Sequence, residues 1–497
     1  MEVKYSMKEK SIKINMILNG IKGLLSVLFP LITFPYVSKI LGVENIGKYN
    51  FADSIINYFI LLAGLGISTY AIREGAEIRE DKEKINIFSK EIFTINIFST
   101  ILSCLFLFLL VLIVPKFENY TLLLFILSFQ ILFRTIGIEW IYSIYEDYKY
   151  ITIRSILFQL LSFILLFLFV HSENDLYIYT IIVVLSTVGS NIINFFHSRK
   201  YCHITLTKKS NVRKHMKPIL LLFATTVAIT IYVNSDITIL GFLTNDSSVG
   251  FYSVSTKIYT IIKSLLASIV LVSIPRFSAF LAQNKKEEFK RTAEDIYKTL
   301  LTFVIPSIIG IIVLRNEIIL IVSNVTYLPA SSSLAFLSIA IFVCLGAYFW
   351  GQAMLVPLRQ EKKVLKITII SAIVNIGLNV VFIPFWKENA AAITTIIAET
   401  IAFLYCKHET SKIIKLGKFY PIFFKSLIGS MPIIIIELTI TRFISNFLVS
   451  TLLVIFISIV VYVIMEVLLK NEIIVYYFYK VRKKLVKSFN DEQEKDF

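Results

Sequence analysis

The chain has 497 residues, 56% of them hydrophobic and only 17% charged, with a formal net charge of +16 and a mean hydropathy of +0.76. That composition excludes a water-soluble protein of about three domains, the size that length alone would suggest. The charges cluster between apolar runs of roughly 20 residues, each long enough to cross a hydrocarbon core of ~30 Å. The runs are continuously apolar rather than alternating, so the spans are expected to be helices and not strands of a barrel. Cys104, Cys202, Cys344 and Cys406 are not spaced as a disulfide framework.

The first apolar run, 12–41, is too long for the core of a signal peptide and has no small-residue cleavage site after it. Further spans are expected at 50–71, 88–114, 120–144, 151–170, 176–196, 219–243, 251–282, 293–314, 331–356, 364–385, 390–406, 421–441 and 447–469, about fourteen in all. The span at 251–282 is long enough to bend. Lys and Arg set the orientation: roughly forty fall in alternate loops and the tail, against about five in the short odd loops. Both termini are therefore expected on the cytoplasmic side, and the net charge is read as a topology signal. The basic loops are short and scattered, which argues against a nucleic-acid partner. The stretch His197-Ser-Arg-Lys-Tyr-Cys-His203 brings two His and one Cys together, but the spacing fits no standard zinc pattern, and no metal site is expected.

A sequence echo organises these spans. "ILGVENIGKYN" from Ile40 and "ILGFLTNDSSVGFY" from Ile239 share Ile-Leu-Gly, a polar link, and Gly-x-Tyr. The echo lays spans one and two over spans seven and eight, an offset of six, which predicts a parallel repeat about an axis along the membrane normal. The expected organisation is an N-lobe at 1–200, a basic linker at 201–217, a C-lobe at 218–410, two extra helices at 411–470 and a basic tail at 471–497. The fold class is an all-α polytopic membrane protein of two six-helix lobes plus two further helices. Paired lobes around a cavity suit alternating access, though duplicated bundles can also be purely structural.

Polar stripes mark candidate cavity residues, because charge inside a membrane helix is costly and usually faces an interior. Asn19 and Lys22 lie on one face of span one, Asp53 and Asn57 on one face of span two, and Gln130 and Arg134 on one face of span four. Asp236 belongs to span seven, Lys257 and Lys263 to span eight, Asn375 to span eleven and Glu399 to span twelve. The cations, with Asn19, Asn57, Gln130 and Asn375, are candidates for an anionic cargo such as a phosphate. Asp53, Asp236 and Glu399 are candidates for coupling to H+ or Na+. Pairing with a neighbouring cation is the other reading of Asp53 and Asp236. Glu437 and Glu466, in the extra helices, are expected to face partners or an interface. No catalytic residue and no cofactor are expected.

The segments "LGVENIGKYNFADSIINYF", "LAGLGISTYAIREGAEIRED", "DITILGFLTNDSSVGFYSVSTKIYTIIKSLLASIVLVSIPRFS" and "LVPLRQEKKVLKITIISAIVNIGLNVVFIP", in that order, resemble the oligosaccharide flippases of the Wzx type. These belong to the multidrug/oligosaccharidyl-lipid/polysaccharide exporter superfamily. The resemblance covers about residues 13–406. It implies a flippase of undecaprenyl-diphosphate-linked repeat units in the bacterial cytoplasmic membrane, serving capsule or O-antigen and working beside a polymerase and export machinery. It carries over no site residue by motif. Rival readings are a lipid II flippase or a drug/cation antiporter of the same superfamily. A membrane glycosyltransferase or polymerase is disfavoured by the tiny outer loops and the lack of paired carboxylates there.

Overall fold

The computed structural model describes residues 12–208 and 212–476. The side chains of residues 12–19, 21–28, 30, 31, 212 and 225 lie outside the description, and the predicted site residues Asn19 and Lys22 are among them. The chain divides into two compact units, Met1–Ser253 and Val254–Phe497. Every long element among the described residues is helical, and twelve helices are long and apolar enough to cross a membrane.

The first unit holds α1 (Ile12–Gly64), α2 (Ile67–Ile78), α3 (Lys82–Ile113), α4 (Thr121–Gly137), α5 (Glu139–Ile144), α6 (Tyr148–Phe169), α7 (Leu176–Val184), α8 (Asn191–His197) and α9 (Val212–Leu243), and the start of α10 (Asp246–Leu271). The link expected between spans one and two is not a loop. α1 runs through it and is interrupted only at Gly42 (φ 74°, ψ 173°). One left-handed glycine turns the chain, so no longer connection is needed. The helix resumes at once because its polar residues bond locally. Lys48 pairs with Glu44 four residues earlier at 2.7 Å, and the Asn45 amide donates to the carbonyls of Leu41 (3.1 Å) and Glu173 (2.8 Å).

At the other end of that helix Leu65 and Gly66 both take positive φ, and α2 leaves in a new direction. α3 starts at Asp81, whose carboxylate accepts from the backbone N–H groups of Glu83 (3.1 Å) and Lys84 (3.0 Å). The Lys84 N–H bond chiefly holds that carboxyl below the usual range. Phe98, Ile101, Leu105, Phe108 and Leu112 are exposed along one stripe of α3, the surface expected where a helix meets lipid rather than water. The core beneath α2, α3 and α5 is built from Ile67, Ile85, Ile92, Trp140, Ile144 and Ile219.

The second unit holds the rest of α10, then α11 (Ile274–Ala282), α12 (Lys286–Val313), α13 (Arg315–Val322), α14 (Ala330–Tyr348), α15 (Glu361–Ser411), α16 (Tyr420–Ser430), α17 (Pro432–Phe443) and α18 (Phe447–Leu468). The bend allowed for in 251–282 falls between α10 and α11, where Pro275 opens α11; proline suits the first turn of a helix and cannot continue an earlier one. α15 contains both predicted spans eleven and twelve and breaks only at Lys387 (φ 47°, ψ −128°). Tyr297, Phe349, Trp350 and Phe419 pack ring to ring where α12, the end of α14 and the start of α16 meet.

Glu466 corrects an expectation. It does not face an interface: it is fully buried and accepts from the Asn471 amide. Tyr462, one turn earlier, donates to the Thr302 carbonyl at 2.5 Å. The Tyr462 bond fastens α18 to α12 inside the unit, and the Asn471 amide gives the buried carboxyl the partner it needs.

The turn at Gly42 gives a direct test. An alanine there would sit at positive φ, with its Cβ 3.1 Å from a Glu173 carboxylate oxygen. Gly42→Ala is expected to cost about 1 kcal/mol or more, read as a lower Tm in detergent, whereas Gly20→Ala, which meets nothing within 4 Å, should leave Tm in place.

Candidate functional site

The two copies of the echo meet. Gly47 and Gly250 are the glycines of the two Gly-x-Tyr motifs, and both lie in the first unit. A Cβ on Gly47 would overlap the carbonyl of Asp246, and a Cβ on Gly250 would overlap the carbonyl of Val43. Asp246 stands four residues before Gly250, and Val43 four residues before Gly47. The contact is therefore reciprocal. Each helix start lays its glycine on the backbone of the other. Only hydrogen at Cα permits that approach.

Aromatic and charged groups surround this crossing. Phe51 packs edge-on against Tyr120 (5.0 Å) and Phe242 (5.3 Å), with Phe117 at 6.1 Å. Gly241 leaves room for the Phe51 ring. Tyr120 donates to the Asp246 carboxylate. The Lys116 ammonium donates to the carbonyls of Phe242 (3.1 Å) and Thr244 (3.3 Å), satisfying acceptors that α9 leaves open at its C-terminal end.

The predicted acids lie deeper along the same helices. Asp53 accepts from the Asn57 amide at 3.0 Å. Tyr49 and Tyr179 pack edge to face at 5.1 Å and are both electrostatic neighbours of Asp53. Asp236 accepts from Tyr252 at 2.7 Å, and Tyr58 is its electrostatic neighbour. The Thr238 hydroxyl lies 3.0 Å from Ser54 Oγ, 3.3 Å from the Tyr58 hydroxyl and 2.9 Å from the Asn234 carbonyl, so a seam of hydroxyls joins α1 to α9 between the two acids. Gln130 and Arg134 part company despite sharing a predicted face. Gln130 is buried, with no partner for its amide nitrogen, whereas Arg134 is exposed in the last turn of α4.

In the second unit, the Lys263 ammonium lies 4.7 Å from the centroid of the Tyr259 ring. Cys344 on α14 has Glu399, Lys263 and Tyr259 as electrostatic neighbours, so three helices bring a cation, a nearly buried acid and a phenol together. Lys257 is half-buried on α10. Asn375 is turned inside α15: Asn379 donates to it at 3.2 Å, and Thr394 donates to Asn379 at 2.5 Å. That chain, with Ser371 donating to the Ala398 carbonyl at 3.2 Å, stitches the two arms of α15 together.

Among the described residues no three His, Cys, Asp or Glu side chains converge as metal ligands. The His197–His203 stretch is dispersed: His197 stacks on Tyr150 at 3.9 Å, His203 is exposed, and Cys202 is buried in the core, where burial pushes its thiol up to about 11.

The crossing yields a prediction. In a chain freed of its four native cysteines and carrying Val249→Cys at a fully buried position, adding Gly47→Ala or Gly250→Ala should speed labelling by a membrane-impermeant maleimide about tenfold, the equivalent of ~1.4 kcal/mol. Gly64→Ala, with nothing within 4 Å, should not.

Comparison with known proteins supplies the context. The chain is 26% identical over 379 residues to the "Putative O-antigen transporter" of Escherichia coli K12, covering 75% of this chain and 90% of that protein. It is 23% identical over 181 residues, 36% of this chain and 38% of the relative, to the "Probable low-salt glycan biosynthesis flippase Agl15" of Haloferax volcanii. Its fold is similar to that of the lipid II flippase MurJ in an inward closed conformation, with a TM-score of 0.72 at 19% identity over 93% of this chain and all of that one. An inward-facing multidrug MATE transporter of the MOP superfamily follows at TM-score 0.59 and 15% identity, over 80% of this chain and 98% of that one. The model of the family described as "Polysaccharide biosynthesis protein" matches residues 12–281, more than half of the chain, and this multi-pass membrane protein belongs to that family.

Proposed function

We propose that this protein is a flippase that carries undecaprenyl-diphosphate-linked oligosaccharide units from the inner to the outer leaflet of the bacterial cytoplasmic membrane, for assembly into a surface polysaccharide. The observation that carries this reading is the sequence relation spanning 90% of a protein named a putative O-antigen transporter. A relative named as a glycan flippase supports it. The likeness to MurJ and to a MATE transporter is one of fold alone, so neither lipid II nor drugs are favoured as cargo. The protein is a transporter and not an enzyme on this reading.

The finer topology is part of the proposal. Twelve candidate spans become fourteen if the breaks at Gly42 and Lys387 each reverse the chain across the membrane. The Lys/Arg asymmetry supports cytoplasmic termini. Two repeated lobes, 1–200 and 218–410, work by alternating access, with the basic 201–217 segment linking them and the helices at 411–470 outside the repeat.

The head group is a diphosphate, which needs charge-assisted donors in a site poor in water. Arg134, Lys257 and Lys263 supply them, with Lys22 as a further donor, and the amides of Asn19, Asn57 and Gln130 complete the polar lining. Lys263 is held by the Tyr259 ring face, which keeps a cation in low dielectric without neutralising it. Proton or sodium occupancy at Asp53, Asp236 or Glu399 favours one lobe arrangement through its differential affinity for the two. Asp53 and Asp236 already have phenol and amide partners, so an arriving ion exchanges one set of oxygens for another. A polymerase accepts the emerging unit on the outer side.

The test is made in the host. Deleting the gene should trap lipid-linked sugars on the inner leaflet and remove the surface glycan, and Arg134→Ala or Lys263→Ala should fail to restore it at normal protein levels. Normal arrival of the units at the outer leaflet in the deletion strain would refute the flippase reading. Full export by both variants would remove these cations from the site.

A further inference from the structure

His215 lies in the first turn of α9 and is 1% exposed. Both ring nitrogens are engaged. Nδ1 is 2.8 Å from the hydroxyl of Tyr70 on α2, and Nε2 is 2.9 Å from a carboxylate oxygen of Glu91 on α3. Phe88 packs edge-on against the imidazole at 5.7 Å, and so does the Tyr70 ring. Tyr70 is itself 3% exposed. The start of α9 is thus tied to two other helices through one imidazole.

The two protonation states of that imidazole need different partners. Neutral histidine has one N–H and one lone pair. Tyr70 then donates to Nδ1, while Nε2–H donates to Glu91, and every group is satisfied. Protonation at Nδ1 makes both nitrogens donors. The Tyr70 oxygen must accept, and its own hydrogen turns to apolar surroundings. Meanwhile the bond to Glu91 becomes a buried ion pair, stronger than before. A proton therefore shifts the hold on α9 from α2 towards α3.

The other charged groups on the packed elements are Arg73, Glu74 and Glu77 on α2, Lys82, Glu83, Lys84 and Lys90 on α3, and Arg213, Lys214, Lys217 and the distant Asp236 on α9 itself; of these, Arg73 and Glu74 are electrostatic neighbours of Tyr70. α1, which also packs on α9, has no charged residue from Ile55 to Gly64. Glu91 is the carboxylate in direct contact with the ring, and its side chain is largely shielded from solvent.

We propose that Tyr70, His215 and Glu91 form a proton-binding site, separate from the candidate coupling acids, that sets how the start of α9 is docked. The site lies at the basic end expected to face the cytoplasm, so its natural ligand is a proton from that side. Histidine suits the task because its charge changes near neutral pH. α9 also carries Asp236 and ends against the glycine crossing, so a change of docking at its first turn acts on the helix that reaches both. This second, functional consequence rests on the flippase reading; the proton site itself does not.

The test is nitrogen NMR on full-length protein in lipid vesicles, with the five histidines 15N-labelled and His215→Gln used to assign the resonance. Compared at one and the same pH, Tyr70→Phe should raise the ratio of imidazolium to neutral His215 by about threefold or more, because the donor that needs the neutral ring is gone. Glu91→Gln should lower that ratio by a similar factor. Export in cells should respond in the same order, its pH profile displaced in opposite directions by the two variants. A His215 signal that does not change between about pH 5 and pH 8 would overturn the proposal, as would two variants that both leave the ratio at its wild-type value. Altered ratios with no export in any strain would instead count against the flippase reading and leave the proton site standing.

Discussion

One helix backbone can rest directly on another's carbonyl only where the residue laid against it carries no side chain. At the crossing of residues 43–47 with residues 246–250, each partner lays a glycine on the other's carbonyl. The position of α9 and of residues 246–253 at the start of α10 against α1 depends on that approach. So does the aromatic enclosure of Phe51, Phe117, Tyr120 and Phe242, whose edge-on and tilted ring contacts need the helices at this spacing. The contact also involves few groups. It consists of two glycines, one tyrosine–aspartate bond and a lysine on two carbonyls. A larger apolar seam would hold the helices more firmly and move less readily.

Hydrocarbon imposes the second constraint. A polar group there has no water to fall back on, so each acid is bound to phenols, hydroxyls or amides from its own or adjacent helices. The partners differ in kind. Asp53 and Asp236 have tyrosines around them, whereas Glu466 takes the Asn471 amide just beyond its own helix, beside the Tyr462 bond that holds α18 to α12.

Much of this was legible in the sequence. Hydropathy alone placed the helical spans, because bilayer thickness demands long apolar runs. The echo of Gly-x-Tyr pointed to α1 and α10, since a motif repeated after two hundred residues needs a shared structural reason. That the two copies touch each other was not legible: periodicity speaks of one helix at a time and not of which helices meet. For the same cause Gln130 and Arg134 were grouped by spacing and then separated by packing, and Asn375 appeared as lining when it ties one arm of α15 to the other. The link at 42–49 looked like a loop because it is polar and glycine-containing, yet a single residue of positive φ made the turn. His215 was hidden inside a basic stretch, where its charge class concealed its burial; only the arrival of Tyr70 and Glu91 from other helices gives it meaning.

The measurement that bears most directly on the whole account is reconstitution. Purified protein would be placed in vesicles that carry undecaprenyl-diphosphate-linked oligosaccharide with a saccharide that an impermeant enzyme can trim from outside. In protein-free vesicles about half of the lipid should be trimmed, the outer leaflet's share. With the protein present the account predicts that trimming proceeds to nearly all of it, at a rate set by protein content and lowered by loss of Lys263. Trimming that halts at the protein-free level, in protein shown to be folded, would contradict it.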